Sequence, residues 1–199
     1  MFTGIVEEVG QVLASREEGG NRVVTIGASK ILEDMRVGDS VACSGACLTV
    51  TAFDREGFSV ALSRESVART APRWEVGSRL NLERAMRADG RFGGHLVSGH
   101  VDGTGTVVAV SPQPGAWVVE IEAPPALRPY LVAKGSVSVD GVSLTVVEVR
   151  GRVFSTWLIP HTLEVTTLAE LTPGAVVNLE ADLLAKYVER ILQTREALR

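Results

Sequence analysis

Val37–Val50 reads VGDSVACSGACLTV, and Ala133–Val146 reads AKGSVSVDGVSLTV. Laid over one another at an offset of 96, six of the fourteen positions are identical, and both stretches end in Leu-Thr-Val. The match continues outward. Met1–Val12 (MFTGIVEEVGQV) falls on Leu96–Val107 (LVSGHVDGTGTV) at offset 95, pairing Gly4, Val6, Gly10 and Val12 with Gly99, Val101, Gly105 and Val107. Gly77–Glu83 (GSRLNLE) falls on Gly174–Glu180 (GAVVNLE) at offset 97, with four of seven identical. The offset drifts one residue at a time, as single-residue loop changes would make it. A period this long is not a solenoid unit; it is a duplicated domain.

Each copy reads alike. Thirty valines and twenty glycines in 199 residues favour short strands joined by tight turns. A long strand opens each unit at Ile5–Ala14 and His100–Val110, and a second follows at Val23–Gly27 and Ala116–Ala123. Ser40–Cys43 and Ser136–Val139 run into the turns Ser44-Gly45 and Asp140-Gly141, the latter a strong tight-turn signal. Cys47–Phe53 and Ser143–Val149 return, Phe58–Leu62 and Val153–Ile159 follow, and Arg79–Glu83 and Val176–Glu180 close the units. Short helical turns are expected at Lys30–Met35 and Ala126–Val132, and short helices at Glu65–Arg69 and Thr162–Thr166. The fold predicted is all-β: two homologous six-stranded Greek-key barrels, residues 1–95 and 96–182. Residues 183–199 add a helix outside the repeat, with an apolar stripe through Leu184, Tyr187, Val188, Ile191 and Leu198.

Composition narrows the function. Twenty-four acidic against twenty basic residues give a net charge of −4, which argues against nucleic acid as a partner. No apolar run approaches the roughly 20 residues of a membrane helix. The start MFTGIVEE lacks the basic and apolar regions of a signal peptide, so no export is expected. Two cysteines make no disulfide framework, and a reducing cytoplasm is the expected compartment. Cys43 and Cys47 with His95, His100 and His161 match no zinc spacing, so no metal is expected. Cys43 reads as a core cysteine.

Cys47 and Ser143 stand at equivalent points, three residues after Ser44 and Asp140. Both are hydrogen-bonding groups and potential nucleophiles. Turn chemistry and a functional site explain them equally well at this level.

Six ordered blocks carry a family resemblance: MFTGIV at the start, GACLTV (Gly45–Val50), GGHLVSGHVDGTG (Gly93–Gly105), KGSVSVDGVSLTV (Lys134–Val146), IPHTLEVTTL (Ile159–Leu168) and NLEADLLAKYVERIL (Asn178–Leu192). Together they resemble the riboflavin synthase family, alpha-chain type, from Met1 to about Leu192. The resemblance implies dismutation of two 6,7-dimethyl-8-ribityllumazine molecules. A four-carbon unit passes from one to the other, giving riboflavin and 5-amino-6-ribitylamino-uracil without cofactor or metal. It implies a homotrimer built by the C-terminal helix, with sites between subunits and two lumazines per site. Lumazine synthase becomes a candidate partner.

The resemblance also implies ligand contacts. In the first half these are Gly4, Ile5 and Val6, then Cys47, Leu48 and Thr49, then Ala61, Leu62, Ser63, Arg64, Glu65 and Ser66. In the second half they are Gly99, His100 and Val101, then Ser143, Leu144 and Thr145, then Trp157, Leu158, Ile159, Pro160, His161 and Thr162. Lys134 matches a lysine reaching a neighbouring subunit's ligand. His100, Asp140, Ser143 and Thr145 become candidates for proton handling or orientation, and Cys47 and Thr49 for the molecule bound in the first barrel. Ser44 departs from the asparagine common before the Gly-x-Cys-Leu-Thr block. Two other functions share such barrels: a lumazine-carrying antenna protein, which tends to lose polar groups at one site, and a flavin redox domain, which needs a nicotinamide-binding domain besides.

Overall fold

The computed structural model describes residues 1–197. In the first half, β1 (Glu8–Glu18), β2 (Asn21–Gly27), β3 (Ser40–Cys43), β4 (Ala46–Phe53), β5 (Gly57–Leu62) and β6 (Arg79–Arg84) close into a barrel in the order β1-β2-β5-β4-β3-β6. All pairings are antiparallel, so closure leaves no bare edge. A short helix, α1 (Arg64–Arg69), follows β5, its first turn capped by the Ser63 hydroxyl accepting from Ser66 N at 3.1 Å.

The second half repeats this with β7 (Gly103–Gln113), β8 (Ala116–Glu122), β9 (Ser136–Val139), β10 (Val142–Thr145), β11 (Glu148–Arg150), β12 (Val153–Leu158), α2 (Pro160–Val165) and β13 (Val176–Ala181). Here seven strands rather than the expected six run in the order β10-β9-β13-β7-β8-β12-β11. The extra strand is a break, not an insertion. β10 and β11 are consecutive pieces of the strand equivalent to β4, parted at Val146–Val147, and Val147 N still donates to Ser155 O on β12 at 2.8 Å. At the equivalent place β4 carries only a bulge between Val50 and Ala52. The sheet thus curls until its ends meet along the chain.

The cores repeat in kind. Val12, Val24, Ile26, Phe58, Leu62 and Leu82 fill the first barrel, and Val107, Val119, Ile121, Phe154, Leu158 and Leu179 the second, all at most 1% exposed. Even the irregularities match: β1 and β7 bulge at Leu13 and Val108, turning both outward. Last comes α3 (Leu183–Ala197). Tyr130 bonds Glu189, and Lys186 pairs with Asp102 at 2.7 Å, which ties the helix to the second barrel. Leu184, Tyr187, Val188, Ile191 and Leu192 all stay more than half exposed. Leu198 of the expected stripe lies outside the described residues. No described helix is long and apolar enough to cross a membrane.

The two barrels meet back to back across an approximate twofold axis. The turns Ser44-Gly45 and Asp140-Gly141 stack on each other. A Cβ on Gly45 would come within 2.9 Å of Gly141 N, and one on Gly141 within 2.7 Å of Gly45 N. Asn81 of β6 donates from Nδ2 to Asp140 O (2.9 Å) and accepts at Oδ1 from Thr167 N (2.8 Å). Asn178 of β13 mirrors it, donating to Ser44 O (2.8 Å) and accepting from Ala71 N (2.6 Å). All four bonds cross between barrels and are buried. Losing one partner would strand a buried backbone group, at about 1–3 kcal/mol.

Asp140, expected in proton handling or orientation, lies in this seam. Its side chain is 0% exposed, accepts from Asn178 N at 2.8 Å and pairs with Arg73 at 2.8 Å. Nothing here opens towards a ligand. Burial pushes its carboxyl up to about 6, outweighing the attraction of Arg73.

Two outcomes are expected. Gly19→Ala sits at φ +59° with no neighbour within 4 Å and should cost only the left-handed penalty, about 1 kcal/mol. Gly45→Ala, at φ +85° against backbone, should cost about 3 kcal/mol or more. Urea midpoints at unchanged slope measure both. For Asp140, a folded pKa above the ordinary 3.8 means the native state retains a proton that the unfolded chain has released. The stability of the wild-type chain relative to Asp140→Asn should therefore fall as pH rises from about 4 to about 6, by up to about 3 kcal/mol, and level off above. A relative stability that rises across that window would show the Arg73 attraction dominating.

Candidate active site

The opening segments of the two units do not stay with their own barrels. The first strands begin at Glu8 and Gly103, not at Ile5 and His100 as the alternation predicts, because the residues before them leave the sheet and cross over. Phe2 and Val97 pair as an antiparallel bridge on the axis, with Phe2 N donating to Val97 O at 2.8 Å and Val97 N to Phe2 O at 3.2 Å. Beyond the bridge each segment lies on the opposite barrel. Gly4 O accepts from Ser143 N at 2.7 Å, and Val6 packs against the second core. Gly99 O accepts from Cys47 N at 2.8 Å, and Val101 packs against the first core. The contact is close: a Cβ on Gly4 would stand 2.7 Å from Ser143 Cβ, and one on Gly99 2.6 Å from Cys47 Cβ.

Two buried carboxylates fix these crossings. Glu83 accepts from Thr3 N (2.7 Å), Thr3 Oγ1 (2.9 Å) and Gly4 N (3.0 Å). Glu180 accepts from Ser98 N (2.7 Å), Ser98 Oγ (2.6 Å) and Gly99 N (2.9 Å). Burial moves the Glu83 carboxyl upward, against the pull of these bonds.

The exchange re-sorts the expected contact residues. At the first barrel's mouth a cavity of about 330 Å³ brings together Cys47, Leu48, Ser63, Glu65, Ser66, Gly99, His100 and Val101. Its size and mixed lining suit a small polar heterocycle. Ala46, Arg69 and Thr70 also line it, unforeseen from the sequence. Thr49, Ala61, Leu62 and Arg64 lie outside this lining. His100 thus joins Cys47, not Ser143, and Gly4–Val6 joins Ser143, not Cys47.

At the second mouth Ser143 Oγ lies 2.7 Å from Nδ1 of His95. His95 is 8% exposed, its Nε2 has no partner, and burial holds its pKa below the usual range against a smaller opposing pull from Asp182. A neutral imidazole there can accept a proton from the serine hydroxyl. The expected list lacked His95. The repeat does not point to it, since His95 lies outside the blocks that match between the two halves. Ile5, Trp157 and Ile159, the counterparts of His100, Ala61 and Ser63, are each about half exposed. Leu158 is fully buried and Leu144 8% exposed, so their side chains belong to the core. Thr145 ends β10 facing outward, and Pro160, His161 and Thr162 form the first turn of α2. Lys134 is exposed at φ +69° in the turn before β9 and is not among the residues lining the first mouth. Burial pushes the Cys43 thiol well up, leaving Cys47 as the accessible cysteine. Among the described residues no group of three or more His, Cys, Asp or Glu could hold a metal.

Comparison with known proteins agrees with the duplication. The model for the lumazine binding domain matches twice, at residues 3–85 and 98–182. Riboflavin synthase of Bacillus subtilis (strain 168) is 46% identical, over 96% of this chain and 90% of its own length. Riboflavin synthase of Mycobacterium tuberculosis (strain ATCC 25618 / H37Rv) is 42% identical over 98% of this chain and 99% of its own. Among solved structures, LumP complexed with riboflavin superposes with a TM-score of 0.82 at 24% identity, covering 91% of this chain and 99% of that one. LumP complexed with 6,7-dimethyl-8-(1'-D-ribityl) lumazine gives 0.80 at 23%, with the same coverage. That likeness speaks to the fold, whereas the full-length sequence matches speak to kinship. With two lumazine-binding domains and relatives of that identity along its whole length, this chain belongs to the riboflavin synthase family.

Proposed function

We propose that the chain dismutates two molecules of 6,7-dimethyl-8-ribityllumazine into riboflavin and 5-amino-6-ribitylamino-uracil. The observation that carries this reading is the pair of equivalent mouths, each presenting one nucleophile-bearing residue, Cys47 or Ser143, under a segment from the other half. Two copies of one substrate call for two related pockets. Holding them in fixed orientation supplies much of the acceleration.

The chemistry takes a proton from the 7-methyl group of one lumazine and adds a nucleophile at the ring carbon bearing that group in the other. Ser143, backed by neutral His95, is placed to move a proton, while Cys47 and His100 serve the molecule in the first barrel. Thr145 and Lys134 are assigned to the ligand by resemblance alone. No cofactor or metal is invoked, and the reaction is a group transfer. The reading places the enzyme in the cytoplasm as a homotrimer, with each site between the first barrel of one subunit and the second of another. Lumazine synthase is a candidate partner. The unpartnered apolar face of α3 supports assembly through that helix.

The antenna reading gains from the likeness to LumP, but both mouths here keep their polar groups. Incubation with the lumazine separates the two. Riboflavin accumulating at one molecule per two lumazines supports the enzyme; stable lumazine fluorescence without conversion supports the carrier. Within the enzyme reading, Ser143→Ala and His95→Gln should each lower kcat by about 10²–10⁴-fold. If they act as one unit, the double variant should be little worse than either single. Near wild-type kcat for both would move proton transfer to Cys47 and His100. Deleting residues 183–199 should give monomers that bind ligand but turn over poorly, with specific activity recovering as concentration rises. A truncated chain that sediments as a trimer with full activity in the nanomolar range would remove α3 from assembly.

A further inference from the structure

We propose that Glu83 and Glu180 are positioning residues, each for the pocket of the barrel to which it does not belong. The inference rests on the reading of Cys47 and Ser143 as pocket groups. Glu180 lies on β13 of the second barrel, yet the backbone it holds, Ser98-Gly99, ends in the carbonyl bonded to Cys47 N of the first. Glu83 lies on β6 of the first barrel and holds Thr3-Gly4, whose carbonyl is bonded to Ser143 N of the second. Two hydrogen bonds therefore separate each carboxylate from the residue bearing the far pocket's nucleophile.

The chemistry requires a carboxylate. Each accepts three bonds from donors only, two backbone N–H groups and one hydroxyl, spread over both oxygens. Neither carboxylate is on a basic residue: among the described contacts no Lys or Arg pairs with Glu83 or Glu180. An amide in the same place would turn its NH2 against an N–H. Both side chains are buried, at 6% and 2% exposed, so water cannot replace the lost acceptor. Each pocket is consequently set by a strand of the opposite barrel.

The thiol of Cys47 offers a reporter for the first pocket alone, because Cys43 is 0% exposed. The experiment measures the alkylation rate of Cys47 by iodoacetamide in the full-length chain, without ligand and with riboflavin. Glu180→Gln should loosen Gly99 over Cys47 and raise the ligand-free rate about tenfold, while Glu83→Gln should leave it within about twofold. The riboflavin concentration giving half-protection should rise about tenfold in Glu180→Gln only, although both variants lose turnover. A general loss of stability would move both variants together, so equal acceleration in the two, or acceleration in Glu83→Gln alone, overturns the proposal. Should either glutamine variant fail to fold, Ser98→Ala and Thr3→Val each remove one hydroxyl donor and should reproduce the same asymmetry at smaller size; its absence there also overturns it. If riboflavin does not protect Cys47 in the wild-type chain, the pocket reading fails, while the ligand-free rates still decide the crossed positioning.

Discussion

Closed barrels solve one problem and create another. Inside the first barrel every strand finds two neighbours, and in the second only β10 and β11, the two pieces of one broken strand, have a single one; but where the two units are pressed together the turns between strands bring unpaired carbonyls and N–H groups into the buried seam. Asn81 and Asn178 answer this constraint. Each amide spends its donor on a turn carbonyl of the other barrel and its acceptor on an N–H of the segment beyond. An amide carries its donor and its acceptor on separate atoms and so reaches both groups at once, whereas leucine or aspartate at either place would leave a buried group without a partner. Once this seam is closed the axis is set, and so is the path by which the opening segments cross it.

That path makes the pockets composite. Gly4 reaches Ser143 and Gly99 reaches Cys47 only because Phe2 and Val97 bridge on the axis. Neither mouth is complete within one repeat: a cut at residue 95 would separate the first barrel from Gly99, His100 and Val101 of its own cavity. The two family matches, 3–85 and 98–182, mark two units of sequence, and the chain interleaves them where Gly4 meets Ser143 and Gly99 meets Cys47.

Much of the fold was legible because the repeat and the strand alternation point the same way. Gly10, Val12 and their partners Gly105 and Val107 fixed the barrels, and the turn signals at Ser44-Gly45 and Asp140-Gly141 placed the nucleophile-bearing strands. The crossing was not legible. Period-two alternation runs through Val6 and Val101 as if they continued the strands, and only the positive φ at Gly4 and Gly99 and the distant Glu83 and Glu180 reveal the exit. The setting of Asp140 was illegible for a related reason. A turn aspartate beside a candidate nucleophile looks like a proton carrier until its carboxylate is found on Arg73, 67 positions earlier in the chain. The residues that share each site are neighbours across barrels, and one-dimensional pattern carries no information on that.

Duplication alone would yield two identical pockets, and a reaction between two copies of one molecule needs the copies treated differently. The structure shows where the halves have diverged. Cys47 faces His100, which is exposed, beside Ser63, Glu65 and Ser66. Ser143 instead has the buried His95 on its hydroxyl, and the counterparts of His100, Ser63, Glu65 and Ser66 are Ile5, Ile159, His161 and Thr162. A hydroxyl bonded to an imidazole whose charged form burial disfavours is suited to moving a proton without stabilising charge. A rim with a thiol, an exposed imidazole and a carboxylate can instead stabilise developing charge and admit water. The backbone frame, held crosswise by Glu83 and Glu180, is the same in both. The two mouths thus share one backbone frame and differ in the side chains set on it.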